Sequence, residues 1–188
     1  MECKSFAPIL REDARVLILG TMPSVMSLKT HQYYGHPQNH FWPIIFSLIE
    51  LPLPSSYEQR VQEVINNRIA IWDVAASCDR EGSNDSAIRN AIANDFHNLL
   101  PRLPELQLIC FNGTKARDLW KKHVGDISPS SVGFVTLPSS SPIPGRKIKT
   151  LPQKLAAWMV IKEYLAGNRN LRKLSLNHWS INTDPGNA

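Results

Sequence analysis

Two stretches in the first quarter of the chain combine residues able to grip and cleave a ligand. They are Gly20-Thr21-Met22-Pro23-Ser24 and Gln32-Tyr33-Tyr34-Gly35-His36-Pro37-Gln38-Asn39-His40-Phe41-Trp42. Gly20 allows close backbone approach and Pro23 fixes a turn, so the N–H groups from Thr21 to Ser24 would face a ligand above them. The turn is not a phosphate-binding P-loop, because the Gly-x-x-x-x-Gly-Lys spacing is missing. Asn39 supports two readings. It precedes an apolar helix, where its side chain would accept a backbone N–H as an N-cap. Its amide also carries donors and an acceptor, which suits orienting a water or touching a base edge. Tyr33 and Tyr34 fall in an expected loop, where a ring can serve as a platform for a planar ligand. His31, His36 and His40 do not share a helical face and have no acidic or cysteine partner nearby, so no metal site is read there.

Three later segments bear chemistry as well. Asp73 closes the run Ile71-Trp72-Asp73-Val74, where it could read a donor, act as a base or merely cap a turn. Asp79, Arg80 and Glu81 beyond it read as a solvated loop. Asn112 ends another apolar run ahead of Gly113-Thr114-Lys115, and a helix starting there would favour an anion at its N-terminus. The Asn-Gly pair is equally a turn signal. Last comes Leu137-Pro138-Ser139-Ser140-Ser141-Pro142-Ile143-Pro144-Gly145-Arg146-Lys147. Its prolines stiffen the loop, its serines can bond phosphates and Ile143 is an apolar tip able to wedge between base pairs. A nucleophilic serine would call for a Gly-x-Ser-x-Gly elbow, which the chain lacks.

The elements that must position these groups alternate. Val16–Leu19, Ile69–Trp72, Leu106–Phe111 and Val132–Leu137 are apolar runs bounded by turn residues and read as strands. Trp42–Ile49, Tyr57–Asn66, Ser86–Leu99 and Lys115–His123 read as helices, and a last helix runs from near Pro152 to near Gly167. Ser55 or Ser56, with Glu58 or Gln59 three residues on, signals the start of the second. Leu155, Trp158, Met159 and Tyr164 would form the core-facing stripe of the last helix. The pattern is that of an α/β protein, a three-layer α/β/α arrangement about a central, mainly parallel four-stranded sheet. In such sheets the strand C-termini share one edge, where ligands bind. Each segment singled out above follows a strand.

At 188 residues and 43% hydrophobic content, the chain is long enough for one buried core. The expectation is a single domain over 1–167 and a C-terminal arm over 168–188. No run approaches the roughly 20 apolar residues of a membrane span, and no basic-then-apolar leader opens the chain. A cytoplasmic location, or a nuclear one in a cell with a nucleus, is therefore expected. Cys3, Cys78 and Cys110 are an odd, widely spaced set, which argues against disulfides, a zinc ribbon or an iron-sulfur cluster. Cys110 reads as a buried thiol. The net charge of +5 conceals an asymmetry: −3 up to Asn112 and +8 from Gly113 onward. Lys115, Arg117, Lys121 and Lys122 crowd one helix, while Arg146, Lys147, Lys149 and Lys154 follow the Pro/Ser loop. Charge of this kind suits phosphate contacts, although it also occurs on ordinary solvated surfaces.

Taken in order, Gly-Thr-Met-Pro-Ser, Tyr-Tyr-x-His-Pro-x-Asn-x-Phe-Trp, Trp-Asp-Val-x-x-Ser-Cys-x-Arg-x-Gly-Ser-x-Asp-Ser, Phe-Asn-Gly-x-Lys-Ala and Leu-Pro-Ser-Ser-Ser-Pro resemble the uracil-DNA glycosylase superfamily. Within it they are most similar to the hypoxanthine-DNA glycosylase branch. The resemblance runs from about Val16 to Trp158. It implies a repair enzyme that flips a deaminated base out of double-stranded DNA and hydrolyses its N-glycosidic bond, hypoxanthine being the first candidate. It also implies a monomer without cofactor or metal. The similar mismatch-specific glycosylases carry a catalytic asparagine where this chain has Met22, which makes Asn39 the candidate for the missing amide. By the same resemblance, Gly20 to Ser24, Tyr34, Asp73 and Asn112 would line the base pocket, Tyr34 by stacking and Asp73 by reading the base edge. Ser139, Ser140, Ser141, Pro142, Ile143, Arg146 and Lys147 would hold DNA. A uracil- or mismatch-directed glycosylase and a non-catalytic damaged-DNA-binding module are the alternatives.

Overall fold

Four apolar runs pair as parallel strands in a computed structural model that describes residues 2–127, 131–142 and 150–166. In chain order the elements are β1 (Glu2–Lys4), β2 (Val16–Gly20), α1 (Val25–Thr30), α2 (Phe41–Leu48), α3 (Tyr57–Asn66), β3 (Ile69–Asp73) and β4 (Ala75–Asp79). They continue with β5 (Arg89–Ala93), α4 (Phe96–Leu99), β6 (Leu108–Asn112), α5 (Thr114–His123), β7 (Gly133–Leu137), α6 (Leu151–Trp158) and α7 (Val160–Leu165). The main sheet has the order β3-β2-β6-β7 and is parallel throughout. β2, β3 and β6 are buried along their whole length, which is why their sequences are continuous apolar runs without polar alternation.

Chain direction reverses about β2, with β3 on one side of it and β6 on the other. Right-handed crossovers then put α2, α6 and α7 on one face and α4 and α5 on the other. The ring contacts agree with this arrangement. Phe41 of α2 meets Trp158 of α6 edge-on at 6.0 Å, while Phe96 of α4 meets Trp120 of α5 at 4.7 Å. The result is the expected three-layer α/β/α fold about a four-stranded parallel sheet. Local signals start the helices. Ser24 caps α1 by accepting the Ser27 N–H, and Ser56 caps α3 by accepting that of Gln59. Thr150 and Gln153 form a reciprocal capping box on α6. The four strands and α2, α3 and α5 fall where the sequence places them, to within a residue or two.

Four expectations differ. Ser86–Leu99 has helical periodicity, yet it forms a short 3-10 turn over Asp85–Ala87, strand β5 and the one-turn α4. Asn90 has φ +49°, and β5 pairs antiparallel with β4, so a ladder overrides the period. Ile92, which the periodicity would place inward, is largely exposed. Together β1, β4 and β5 form a second, antiparallel sheet that the sequence reading lacks entirely. The last helix breaks at Met159 into α6 and α7; the Lys162 N–H bonds the Met159 carbonyl at 3.0 Å, and Met159 turns outward from the expected stripe. Arg80, expected in a solvated loop, is buried and donates to the Pro23 carbonyl. Cys3, Cys78 and Cys110 are buried thiols, and burial pushes the Cys110 thiol up. Among the described residues no helix is long and apolar enough to cross a membrane. The arm expected over 168–188 lies outside the described residues.

Trp158 ties one helical layer to the strand-end loops. It is fully buried, and its indole N–H donates to the Pro138 carbonyl at 2.9 Å. Trp158→Ala is expected to lower stability by about 3–5 kcal/mol in urea unfolding, the range for removing a large buried ring. A loss below about 1 kcal/mol in that titration would show that α6 is not held through this ring.

Candidate active site

The carboxyl ends of all four main strands open on one hollow of about 320 Å³. Gly20 ends β2, Asp73 ends β3 and Asn112 ends β6, while Ser139 to Ser141 follow β7. β2 lies where the direction of chain progress reverses, so this is the crevice in which open α/β sheets place ligands.

Gly20 and Asp73 are register partners on adjacent strands, so their side-chain directions coincide. The Asp73 side chain takes the space above Gly20 that a Cβ would fill. A methyl built there would run into Asp73 Oδ1 and lie 3.1 Å from the Tyr34 hydroxyl. Asp73 Oδ2 accepts a hydrogen bond from Ser5 Oγ at 3.0 Å. Burial pushes the Asp73 carboxyl up to about 7. The Ser5 hydroxyl opposes that rise, the Asp85 carboxylate adds to it and the Arg80 guanidinium draws it down.

Asn39, expected to cap α2, stands one residue ahead of the actual cap, His40, and faces the hollow. Its Oδ1 accepts the Phe41 N–H at 2.9 Å, which fixes the amide plane at the start of α2. No described contact engages its Nδ2, and the side chain lines both the main hollow and a shallower one bounded by His40, Pro43 and Pro142. Tyr34 adopts φ +55°, and its ring stacks on Phe41 with centroids 3.7 Å apart, so a ligand can meet only its opposite face. The Tyr34 hydroxyl is buried and makes no close hydrogen bond among the described residues, although the Asn112 side chain acts on it. Burial and then the charge of Asp73 keep this phenol protonated.

The serine loop is held from several sides. Asn112 Nδ2 donates to Ser140 Oγ at 2.9 Å, and the Ser140 N–H donates to Asn112 Oδ1 at 2.7 Å. The Ser140 carbonyl accepts the His40 N–H at 3.0 Å, directly beside Asn39. Lys154, almost fully buried in α6, donates from Nζ to the Ser141 carbonyl at 2.7 Å. Burial draws its ammonium below the usual lysine range. Gly113, at φ +102°, lets Ser139 pack against its Cα.

Of the residues expected at the site, Gly20, Thr21, Met22, Ser24, Tyr34, Asn39, Asp73, Asn112, Ser139, Ser140 and Ser141 line the hollow. Several are already engaged. Thr21 Oγ1 donates to Asp85 at 2.8 Å, Ser24 caps α1, and Ser140 spends its N–H, hydroxyl oxygen and carbonyl inside the protein. Pro23 stands behind the wall, its carbonyl taken by Arg80, and Pro142 borders the shallower hollow. Ile143, Arg146 and Lys147 lie outside the described residues. The sequence reading missed Ser5, Ser27, Arg80, Asp85 and Lys154. Ser27 Oγ accepts the Gly35 N–H at 3.1 Å and so joins the two first loops. The sequence groups Lys154 with Arg146, Lys147 and Lys149 as charge suited to phosphates, but it is buried and bonds the Ser141 carbonyl instead. Among the described residues no group of three or more His, Cys, Asp or Glu side chains could hold a metal ion.

Parallel strand ends around a polar and aromatic hollow define a ligand-binding α/β fold of the doubly wound kind. Residues 7–162 match the model of the uracil DNA glycosylase superfamily, and the chain belongs to that superfamily. It is 41% identical over 143 residues to a hypoxanthine DNA glycosylase of Methanosarcina acetivorans, covering 73% of this chain and 85% of that protein. It is 36% identical over 163 residues to a hypoxanthine DNA glycosylase of Methanosarcina barkeri, covering 84% and 96%. The solution NMR structure of a Methanosarcina acetivorans protein, provisionally described as a uracil DNA glycosylase, superposes with a TM-score of 0.73 at 35% identity. That superposition covers 88% of this chain and 99% of the other.

The raised carboxyl of Asp73 has a consequence for stability. A folded-state value near 7, above the ordinary carboxyl value of about 3.9, means that the folded chain holds the proton more tightly. This group's contribution is therefore fully present at low pH and is lost as pH rises through 7. Asp73→Asn removes the penalty of a buried charge. The variant is expected to gain stability relative to the parent at pH 8 but not at pH 5, compared by urea unfolding. An equal difference at both pH values would contradict a buried, easily neutralised Asp73.

Proposed function

We propose that this chain removes a deaminated base, hypoxanthine first, from double-stranded DNA by hydrolysing its N-glycosidic bond. It acts as a monomer and leaves an abasic site, in the compartment that holds the genome: the cytoplasm, or the nucleus where there is one. The observation that carries the reading is the placement of Asn39. Its oxygen is pinned by the Phe41 N–H, while its Nδ2 has no hydrogen bond among the described residues and borders the strand-end hollow. Met22, which cannot orient a water, occupies the turn where the similar mismatch-specific glycosylases carry their amide.

Breaking the bond leaves positive charge on the sugar and negative charge on the departing base. The enzyme needs a base drawn out of the stack, a water held near C1′ and polar groups turned toward the leaving base. Asn39 supplies the water contact through its amide. Asp73 and Tyr34 sit deeper, where an extruded base would present its edge. The Asn112-to-Ser140 tie holds the serine loop at the rim, and the excess of basic residues after Gly113 suits the DNA backbone. Hypoxanthine is favoured because two relatives that share 36% and 41% of their aligned residues with this chain carry that base in their names.

Three outcomes are expected. In single-turnover excision from a duplex containing deoxyinosine, followed by alkaline cleavage, Asn39→Ala costs about 10²-fold or more, the scale of one lost positioned polar group. A near-normal rate would leave Asn39 only its turn contact with the Phe41 N–H. In a competition among inosine, uracil, xanthine and mismatched duplexes, inosine is excised fastest; binding without cleavage of any of them would favour a damaged-DNA-binding module. Among the described residues no lysine lines the hollow, which supports hydrolysis without a Schiff base. Borohydride is therefore expected to trap no covalent enzyme-DNA adduct, and a trapped adduct would refute that part.

A further inference from the structure

We propose that Asp73 is the proton donor to the departing base, and that Ser5 is the positioning residue that keeps the acidic proton on the oxygen facing the hollow. The pair thereby favours a purine as leaving group. The inference rests on the reading of the hollow as a base pocket.

The geometry separates the two carboxyl oxygens. Oδ2 accepts the Ser5 hydroxyl, so in the neutral acid Oδ2 is the carbonyl oxygen and the proton resides on Oδ1. Oδ1 lies over Gly20, in space left open only by the missing side chain, at the wall of the hollow. Beside it the Tyr34 hydroxyl is buried and makes no close hydrogen bond among the described residues, the Asn112 side chain being its polar neighbour, so a ligand edge there would complete it. Ser5 is held in place from outside the main sheet. Its N–H donates to the Ala76 carbonyl at 2.8 Å, and the next residue, Phe6, accepts the Trp72 indole N–H at 3.0 Å. Ser5 also precedes the stretch 7–162 that matches the superfamily model.

The charged and titratable groups that act on Asp73 come from two further segments. Asp85, from the loop between β4 and β5, makes it a weaker acid, and Arg80, from the same loop, makes it a stronger one. Tyr33 and Tyr34, ahead of α2, are both kept protonated by burial. With burial the largest influence, the carboxyl titrates near 7, so a large share of it is an acid at neutral pH.

In the step, the C1′–N9 bond breaks and its electron pair goes to the purine. The Oδ1 proton passes to a ring nitrogen, N3 or N7, so the base departs neutral. Water held by Asn39 adds its oxygen to C1′, and its released proton returns through solvent to Asp73. One water is consumed and nothing is oxidised or reduced. Hypoxanthine offers a basic ring nitrogen for this transfer. Uracil offers only carbonyl oxygens, so it gains little from the same donor.

The test is the pH profile of single-turnover excision from a deoxyinosine duplex, using the full chain and the variants Asp73→Asn, Ser5→Ala and Ser5→Thr. For the parent chain the rate is expected to fall about tenfold per pH unit above the titration of Asp73. Asp73→Asn is expected to be about 10²-fold slower at pH 6, with a flat profile that meets the parent near pH 9. Ser5→Ala removes a hydroxyl that favours the ionised carboxylate, so its inflection moves to higher pH; Ser5→Thr, which keeps the hydroxyl, restores the parent inflection. A purely structural Ser5 would lower the rate without moving the inflection, and that result overturns its assignment. Asp73→Asn within about threefold of an active parent at every pH overturns the proposal alone. A parent chain that leaves the inosine duplex intact overturns the base-pocket reading and the proposal together.

Discussion

A carboxyl group can lie across the end of β2 only because residue 20 has no side chain. Gly20 and Asp73 are paired in register on neighbouring parallel strands, and a Cβ on one would occupy the place of the carboxylate on the other. From that bare backbone position follow the depth of the hollow, the burial of Asp73 and the enclosed hydroxyl of Tyr34. The same burial that would make an unpaired charge costly turns Asp73 into an acid that is neutral over much of the physiological range. The site's electrostatics are therefore set by packing at the strand ends more than by any cluster of opposite charges.

The rim is built on the opposite plan. Ser140 is immobilised by a reciprocal pair of hydrogen bonds from Asn112 and by the His40 N–H, while Lys154 and Trp158 take the neighbouring carbonyls of Ser141 and Pro138. Polar groups in a low-dielectric setting are costly when unpaired and strongly directing when paired. Here they are paired, so the loop after β7 and the start of α2 are fixed to each other. Asn39 inherits its position from that connection, because it immediately precedes the residue that bonds Ser140. Its side chain thus braces the turn into α2 and lines the hollow at once.

Within the uracil-DNA glycosylase superfamily the fold is a frame on which different polar groups are mounted. This chain has a buried Met22 in its first turn, and the Asn39 side chain, from the loop ahead of α2, lines the same hollow.

Much of this was legible in the residues themselves. β2, β3 and β6 are covered on both faces, so their burial is written as unbroken apolar runs. Ser56 marks a helix start because capping is a local act, complete within four residues; the caps at Ser24 and Thr150, equally local, went unread. Chemistry-bearing residues follow each strand because only there is the backbone free of the ladder. Other features depended on contacts between distant parts of the chain. Ser5 reaches Asp73 across 68 positions, and Asn112 reaches Ser140 across 28. Arg80 reads as a loop cation until the Pro23 carbonyl and Asp85 enclose it. The stretch 86–99 has a helix's period, but β4 offers it an antiparallel ladder that the period cannot reveal. The sequence by itself determined the layers and the residues able to do chemistry, since both follow from short-range patterns. Tertiary structure alone decided which of those side chains are free to act, because that depends on which polar groups distant segments have already engaged.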